Sequence, residues 1–178
     1  MKLENFLIAL GSKKGAPGGG AAAALTGATG AALAEMIARL NDARSGRSSG
    51  AAGRAAQLRH KLQGLILEDA KAFKRIQRAY KVRRKDPGAW QRALKAGAAV
   101  PMRICEVCAA AVQPARAEKK RTSRWLESDR REALLLLRAA FDAGVLNVEV
   151  NLREMTDRAF CERATRKMNQ WRYKFPKS

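Results

Sequence analysis

The strongest constraint on the fold of this chain is a run of small, uncharged residues between Lys14 and Glu35, which contains PGGGAAAA at residues 17–24. Within the run, small side chains recur three or four positions apart, at Ala24, Gly27, Ala28, Ala31 and Ala32. That spacing places them on one face of a helix, where small side chains let a second helix axis come close. The run therefore predicts a helix over residues 18–40 that lies at the centre of a protein or at a seam between subunits, and not a span across a bilayer.

Hydrophobic periodicity and breaker residues divide the rest of the chain into further helices. They are predicted over residues 2–11, 53–84, 89–112 (with a kink at Pro101), 129–143 and 147–172, and VEV at 148–150 is the one strand-like alternation. A polar hinge is predicted over 41–50 and a basic connector over 113–128. The pattern indicates an all-α fold, a single-domain bundle of about six helices around the Gly/Ala-rich central helix. We expect the domain to span residues 1–172 and a short basic tail to span 173–178.

The charge of the chain narrows the range of its partners. Its 178 residues include 36 Lys and Arg against 16 Asp and Glu, a net charge of +20. A positive field of this size attracts nucleic acid, anionic membrane surfaces or polyanionic small molecules. A solvated basic surface without any partner explains the same composition.

The three cysteines, Cys105, Cys108 and Cys161, are an odd number in a chain whose first residues do not resemble a secretory signal. Cys105 and Cys108 form a CxxC pair, but neither a second pair nor a His cluster completes a zinc site, so no metal is expected. We expect reduced thiols in or near the core of a cytoplasmic protein.

Asp69 stands out for chemistry because it interrupts the apolar stripe of the helix predicted over 53–84. On a helical wheel the stripe consists of Leu62, Leu65, Ile66, Ala72, Phe73, Ile76 and Tyr80. A carboxylate that faces a core is costly unless it is paired or used, and burial raises its pKa, which suits a general acid or base. A structural aspartate bonded to a neighbouring helix end or to an arginine explains the same pattern, and both interpretations stay open.

Three further polar residues have two interpretations each. Asp129 precedes Glu132 by three positions at the start of an apolar run, the spacing of a capping box, which favours a helix cap. Asn147 and Asn151 are four residues apart and share one face of a helix. Buried amides at such positions either satisfy backbone groups or bind the donors and acceptors of a heterocyclic ligand.

Four strings, taken in order, carry a resemblance to a known family. They are GAPGGGAAAALTGATGAALAEMIARL, LEDAKAFKRI, VPMRICEVC and SDRREALLLLRAAFDAGVLNVEVNLREMTDRAF. Together they resemble the cyclodeaminase domain of formiminotransferase-cyclodeaminase and the stand-alone bacterial methenyltetrahydrofolate cyclohydrolases, over residues 3–160. The order of the strings, more than any one of them, makes the resemblance specific.

The resemblance implies an all-α enzyme that acts on folates and forms at least a homodimer. It implies either hydrolysis of 5,10-methenyltetrahydrofolate to 10-formyltetrahydrofolate or cyclisation of 5-formiminotetrahydrofolate with release of ammonia. The acid/base aspartate of the family's DAxAF string falls on Asp69. Neither reaction requires a metal or a redox cofactor, so we expect a tetrahydrofolate derivative as substrate and no cofactor.

The resemblance also suggests where the substrate binds. Contacts are expected from Pro17, Gly18, Gly19, Gly20, Asp129, Asn147 and Asn151. The glycines are expected to form a turn that approaches the ligand. The helix N-terminus that follows them has free N–H groups, which can bind a carboxylate of a glutamate or polyglutamate tail.

An alternative is that the family fold serves, without catalysis, as a basic module that binds RNA, DNA or a ribonucleoprotein. It rests on the +20 charge and on two basic strings, RRK at 83–85 and KKR at 119–121. Contacts to backbone phosphates would make such binding weaken steeply with salt. A folate enzyme would instead lose its activity when Asp69 is replaced.

Overall fold

The computed structural model describes residues 2–175, and this part of the chain forms six α-helices, one short 3₁₀ turn and no strand. The helices are α1 (Leu3–Leu10), α2 (Gly19–Ser45), α3 (Ala51–Val82), α4 (Pro87–Ala117), α5 (Glu127–Arg153) and α6 (Arg158–Arg172), and the 3₁₀ turn (Glu118–Lys120) follows α4. The predicted all-α bundle is therefore confirmed.

The Gly/Ala-rich helix α2 lies at the centre of the bundle, where it packs against α3, α4 and α5. Its glycines keep these neighbours close. A methyl group added to Gly27 would lie 2.7 Å from the Cys108 Sγ atom, and one added to Gly30 would lie 3.0 Å from the backbone oxygen of Ala133. Since the interior is close-packed, neither position has room for a side chain. The predicted close approach of helix axes is confirmed.

Among residues 2–175, α2 is also the one helix that is long and apolar enough to cross a membrane. Most of this helix is buried inside the bundle, and Ala21, Ala24, Ala31 and Ala34 have no exposed surface. It is the core helix of the bundle, as the spacing of its small residues predicts.

Larger apolar side chains from the other long helices complete the core. Leu62 and Leu65 of α3, Ile104 of α4, and Leu137 and Phe141 of α5 are completely buried. Burial of one such side chain contributes about 1.5–3 kcal/mol to stability. This packing holds α3, α4 and α5 against α2, and it thereby fixes the positions of the polar side chains on those helices.

The helices predicted over 129–143 and 147–172 are wrong in their boundaries. The structure has one helix, α5, from Glu127 to Arg153, which also contains the VEV string. Gly144 lies within α5, where a methyl group would be 2.6 Å from the Cys105 Sγ atom. The helical conformation is interrupted only at residues 154–157. The next helix, α6, begins after Asp157, which caps it by accepting a hydrogen bond from the Phe160 N–H at 2.9 Å.

The hinge predicted over 41–50 and the basic connector predicted over 113–128 are both shorter in the structure, because the helices before them continue further than predicted. α4 continues through Pro101 and Pro114 to Ala117. Burial of both prolines offsets the helical hydrogen bond that each of them lacks. α2 likewise continues to Ser45 and ends where Gly46 adopts a left-handed φ of 64°.

Cys105 and Cys108 are free and completely buried, as predicted, and Cys161 is half-buried. Burial raises the pKa of the Cys105 thiol to about 12, so that it stays protonated at neutral pH. The part of the chain that the structure describes contains no group of three His, Cys, Asp or Glu side chains arranged as metal ligands.

Phe175 lies in the segment expected to form a tail, and it is buried against the Phe141 ring with the two ring centroids 4.9 Å apart. Residues 176–178 of that segment lie outside the described residues. The domain boundary after residue 172 stays a prediction.

Candidate functional site

Asp69 lies on α3 at the level where the first turn of α2 packs against that helix. A methyl group added to Gly20 would be 2.6 Å from the Asp69 Cγ atom, so the carboxylate packs directly against the backbone of Gly20. The first turn of a helix has N–H groups without intrahelical partners, and Gly18 at the N-cap position has no side chain to bind them. Asp69 therefore occupies, from another helix, the place of a capping side chain.

The surroundings of the Asp69 carboxyl raise its pKa above the ordinary value. Desolvation by burial is the main cause, and hydrogen bonding by the Ala21 backbone N–H acts in the opposite direction. Within residues 2–175 no cationic side chain forms an ion pair with Asp69, whereas the adjacent Glu68 pairs with Arg103 at 2.5 Å. A half-buried carboxyl with a raised pKa and no paired cation is suited to accept and release a proton.

The three glycines at the start of α2 do not form the turn that the sequence predicts. None of Gly18, Gly19 and Gly20 has a positive φ; Gly18 is extended, and the other two begin the helix. Glycine is required at position 20 because the Asp69 carboxylate occupies the space of its side chain. Pro17 is half-buried in the loop immediately before them. Contact of these four residues with a substrate stays a prediction.

Asn147 of α5 also lies next to the first turn of α2. A methyl group added to Gly19 would lie 3.6 Å from the Asn147 Oδ1 atom. The Asn147 Nδ2 group donates a hydrogen bond to the Ala143 carbonyl, and the Asn151 Nδ2 group donates one to the Asn147 carbonyl, both at 2.8 Å. The amide nitrogens thus satisfy backbone carbonyls, and each Oδ1 atom retains the capacity to accept hydrogen bonds.

One turn further along α5, Asn151 meets α4 at Gly97, where Ile76 of α3 also packs. A methyl group added to Gly97 of α4 would lie 2.7 Å from the Asn151 Oδ1 atom and 3.1 Å from the Ile76 Cγ1 atom. Ile76 lies two turns beyond Asp69 on α3. The candidate site is therefore a strip between α3 and α5, with Asp69 and Asn147 at one level and Ile76 and Asn151 at the next.

Phe73 borders this strip. The sequence pattern counts Phe73 as part of the apolar stripe of its helix, and therefore does not identify it as a candidate site residue. The residue is 37% exposed. The loop before α2 packs on it at Gly15, where φ is 70° and a methyl group would lie 3.6 Å from the ring. An exposed aromatic ring one turn from Asp69 can stack on a planar heterocycle. The available signal in the sequence is its spacing of four residues from Asp69.

Asp129 lies away from these residues, and its predicted role as a helix cap is wrong. α5 begins at Glu127 with Leu126 at the N-cap position, so Asp129 lies inside the first turn, where a negative charge complements the helix dipole. Asn147 lies 18 residues further along the same helix, a distance of about 27 Å. Within one chain, Asp129 is not brought together with Asp69.

Comparisons with known proteins identify relatives of nearly the whole chain. Residues 2–170 match the family model described as formiminotransferase-cyclodeaminase. A methenyltetrahydrofolate cyclohydrolase of Methylorubrum extorquens is 32% identical over 173 residues, which cover 90% of this chain and 83% of that protein. The formimidoyltransferase-cyclodeaminase of Sus scrofa is 30% identical over 183 residues, and the match covers 89% of this chain but 32% of that protein.

A solved structure has the same fold. The crystal structure of formiminotetrahydrofolate cyclodeaminase from Thermotoga maritima matches with a TM-score of 0.89 at 28% sequence identity. The match covers 98% of this chain and 90% of that chain. The likeness therefore includes the helices that carry Asp69, Asn147 and Asn151.

Proposed function

Because this chain belongs to the formiminotransferase-cyclodeaminase family, we infer that it is an enzyme that acts on one-carbon derivatives of tetrahydrofolate. We propose that it hydrolyses 5,10-methenyltetrahydrofolate to 10-formyltetrahydrofolate. The observation that carries this proposal is the Asp69 carboxyl, half-buried against the first turn of α2 with a raised pKa. The choice of reaction is supported by the cyclohydrolase of Methylorubrum extorquens, most of whose length this chain covers.

The chemistry requires one carboxyl group that can change its protonation state. The reacting carbon of the substrate is part of a delocalised N–C–N cation, which ionised Asp69 stabilises electrostatically. Asp69 takes a proton from water as the new C–O bond forms. It then donates that proton to N5 as the bond between N5 and the carbon breaks. The hydroxyl proton leaves to solvent, and the formyl group stays on N10, so that one water is consumed and one proton is released.

The other residues of the strip bind and orient the substrate in this proposal. The Oδ1 atoms of Asn147 and Asn151 accept hydrogen bonds from the N–H groups of the pterin, and the ring of Phe73 stacks on its face. Lys13 and Lys14 are exposed immediately before Gly15, which packs on Phe73. These cations attract the carboxylates of a glutamate or polyglutamate tail.

A second candidate reaction uses the same carboxyl and is favoured by the likeness to the Thermotoga maritima cyclodeaminase. In this reaction N10 of 5-formiminotetrahydrofolate attacks the formimino carbon, and the proton that N10 loses passes to the formimino nitrogen. Protonated Asp69 donates a proton to the departing ammonia, and the methenyl compound forms.

The variant Asp69→Asn tests the proposal. We expect the rate of methenyltetrahydrofolate hydrolysis, measured from the loss of methenyl absorbance, to fall by about 10²- to 10⁴-fold, because the amide cannot exchange a proton. The fold should persist, since Asn serves as well as Asp next to a helix N-terminus. Glu68→Gln is the matched control: it removes the adjacent carboxylate, which is paired with Arg103, and the rate should stay within about twofold.

The outcomes distinguish the candidates. Equal rates for wild type and Asp69→Asn would contradict the role of Asp69. If the wild type releases ammonia from 5-formiminotetrahydrofolate but does not hydrolyse the methenyl compound, the second reaction is correct. A wild-type protein that accelerates neither reaction would contradict both.

We also propose that two copies of the chain associate in the cytoplasm. α1 exposes Leu3, Leu7 and Ile8 at 61%, 53% and 66%. The apolar stripe on α3 is buried only in its first half, and in its second half Phe73 and Tyr80 are 37% and 49% exposed. Apolar faces of this kind mark interaction surfaces. Light scattering should give twice the chain mass of 19.5 kDa, and the mass of a single chain would contradict the proposal.

A further inference from the structure

A second concave surface lies between the end of α4 and the first half of α5, and it encloses about 800 Å³. We call it the basic groove, and define it by its five cationic residues, Arg116, Lys119, Arg130, Arg131 and Arg138. The folate chemistry described above uses none of these residues. The groove is therefore a separate concentration of the chain's positive charge.

The acidic residues of the basic groove do not cancel this charge. Glu127 pairs with Arg130 at 2.6 Å, and Asp142 pairs with Arg138 at 2.7 Å. Arg131 and Lys119 are exposed, and within residues 2–175 neither forms an ion pair. The pKa of Glu127 is lowered chiefly by the Arg130 hydrogen bond, and the charges of Arg131 and Lys119 add to this effect. The two cations therefore line the same groove as Glu127 without being neutralised by it.

The basic groove and the Asp69 strip use opposite faces of α5. At 3.6 residues per turn, Arg131 and Arg138 lie on one face of the helix. Asn147 and Asn151 point to the other side of the helix axis. A ligand in the basic groove would therefore leave the strip beside Asp69 free.

Two exposed aromatic residues flank the basic groove. Trp125 lies two residues before Glu127, is 76% exposed, and has the Arg124 guanidinium 4.6 Å from the centre of its ring. Tyr173 is 87% exposed, and the carbonyl of the next residue, Lys174, accepts a hydrogen bond from the Arg116 guanidinium at 3.3 Å. Cations in a groove, with exposed aromatic residues next to groove residues in the chain, match a ligand that carries both anions and planar rings.

We propose that the basic groove binds single-stranded nucleic acid, with its phosphates on the arginines and its bases on Trp125 and Tyr173. Four of the five cations are arginines, whose planar donors match phosphate oxygens in pairs. Stacking on exposed aromatic rings requires bases that are not already stacked in a duplex, which favours a single strand. This site is additional to the folate site and does not depend on the reaction proposed there.

Fluorescence anisotropy with a labelled oligouridylate tests the proposal on the full chain. We expect the double variant Lys119→Glu/Arg131→Glu to bind at least about tenfold more weakly and to show a shallower dependence on salt, because fewer counterions are released. The control Lys81→Glu/Lys85→Glu makes the same change of charge at exposed residues just before the start of α4. Because α4 is about 45 Å long and the basic groove lies at its other end, the control residues are far from the groove. It should retain most of the affinity.

Trp125→Ala separates stacking from charge. We expect it to weaken binding of the oligouridylate by about tenfold while leaving the weaker binding of a duplex unchanged. Equal losses in the two double variants would show that net charge alone acts, and would overturn the proposal. So would equally tight binding of polyglutamate at matched salt. The rate of methenyltetrahydrofolate hydrolysis should stay unchanged in Lys119→Glu/Arg131→Glu, and a loss of that rate would assign the groove to folate instead.

Discussion

Asp69 and Glu118 are both carboxylates that meet α2, at opposite ends of that helix, and their surroundings differ. Glu118 is completely buried, and it accepts hydrogen bonds from the Asn41 Nδ2 group at 2.7 Å and from the Arg121 guanidinium at 3.0 Å. Asp69 is half-buried and has a raised pKa, and within residues 2–175 it has no ion pair. The comparison shows that burial alone does not identify a reactive carboxylate. The two carboxylates differ in their partners, because Glu118 has a paired cation and Asp69, among the described residues, does not, and the proposed acid/base role of Asp69 rests on that difference.

The partners of Glu118 explain its structural role. Arg121 also pairs with Asp42 at 2.8 Å and donates a hydrogen bond to Ser45, so that one guanidinium joins the end of α2 to the turn after α4. These contacts connect segments that are far apart in the chain. They contribute to stability, whereas the Asp69 carboxyl beside the first turn of α2 has a raised pKa and no cation paired with it among residues 2–175.

The largest effect on stability is expected for Glu118→Ala. It leaves Asn41 without its buried acceptor and removes one carboxylate from Arg121, so we expect the free energy of unfolding to fall by about 3 kcal/mol in urea titrations. Asp69→Asn, at the other end of α2, should change it by less than about 1 kcal/mol. Equal losses in the two variants would contradict the distinction between the two carboxylates.

A smaller effect is expected when a methyl group is added next to Asp69. Alanine is the better helix former, but at Gly20 its Cβ atom would overlap the Asp69 carboxylate. We expect Gly20→Ala to lower the free energy of unfolding by about 1–3 kcal/mol and also to lower the rate of folate turnover.

Gly64→Ala is the control for this substitution. Gly64 also lies inside a helix, α3, but no atom lies within 4 Å of the place of an added methyl group. Its replacement should raise stability by about 0.5–1 kcal/mol, as helix propensity predicts. A Gly20→Ala variant that is stabilised in the same way would show that the carboxylate is not held in place.

The smallest expected effect is on the pH dependence of stability, and its sign differs between Asp69 and Glu35. Burial raises the pKa of Asp69 in the folded state above 3.8, so folding binds its proton more tightly. Its contribution to stability is complete below pH 3.8 and is lost as the pH rises through the raised pKa. Urea titrations at several pH values, compared with Asp69→Asn, measure this difference.

Glu35 should behave in the opposite way. Burial acts to raise its pKa, but hydrogen bonds from Arg59 and Arg39 outweigh burial and hold it below 4.5. Its contribution to stability is present above pH 4.5 and is lost as the pH falls through the lowered pKa. Glu35→Gln should remove that dependence, and difference curves of the same sign for Asp69 and Glu35 would contradict the assigned surroundings.

Prediction from the sequence succeeded where the signal is local. The spacing of small residues in α2 predicted the central helix, and the helical wheel placed Asp69 on the apolar face of α3, because both depend on the period of one helix. It failed at the boundaries of α4 and α5. There Pro114 and Gly144 are accommodated by packing against other helices, which a local pattern does not contain.

The candidate site shows the same contrast between local signals, which the sequence contains, and contacts between helices, which it does not. Asn147 was placed on a helix face with Asn151, but nothing local indicated that it lies beside Gly19. Asp129 was placed with the site residues through the family resemblance, and the single chain keeps it about 27 Å from Asn147 along α5. Phe73 has the spacing of a core residue, and only the loop at Gly15 shows that it borders the site.

The sequence by itself determined the all-α class, the helix of small residues at the centre and the one carboxylate that interrupts an apolar face, because each of these follows from residues within a few turns of one another. Only the tertiary structure decided what surrounds that carboxylate. PGGGAAAA is explained by the packing of α3 on α2: the glycine at position 20 leaves the space that Asp69 fills, and that packing also raises the pKa of its carboxyl. Contacts between distant positions depend on how the helices stack, and the burial that sets a pKa depends on all of them together.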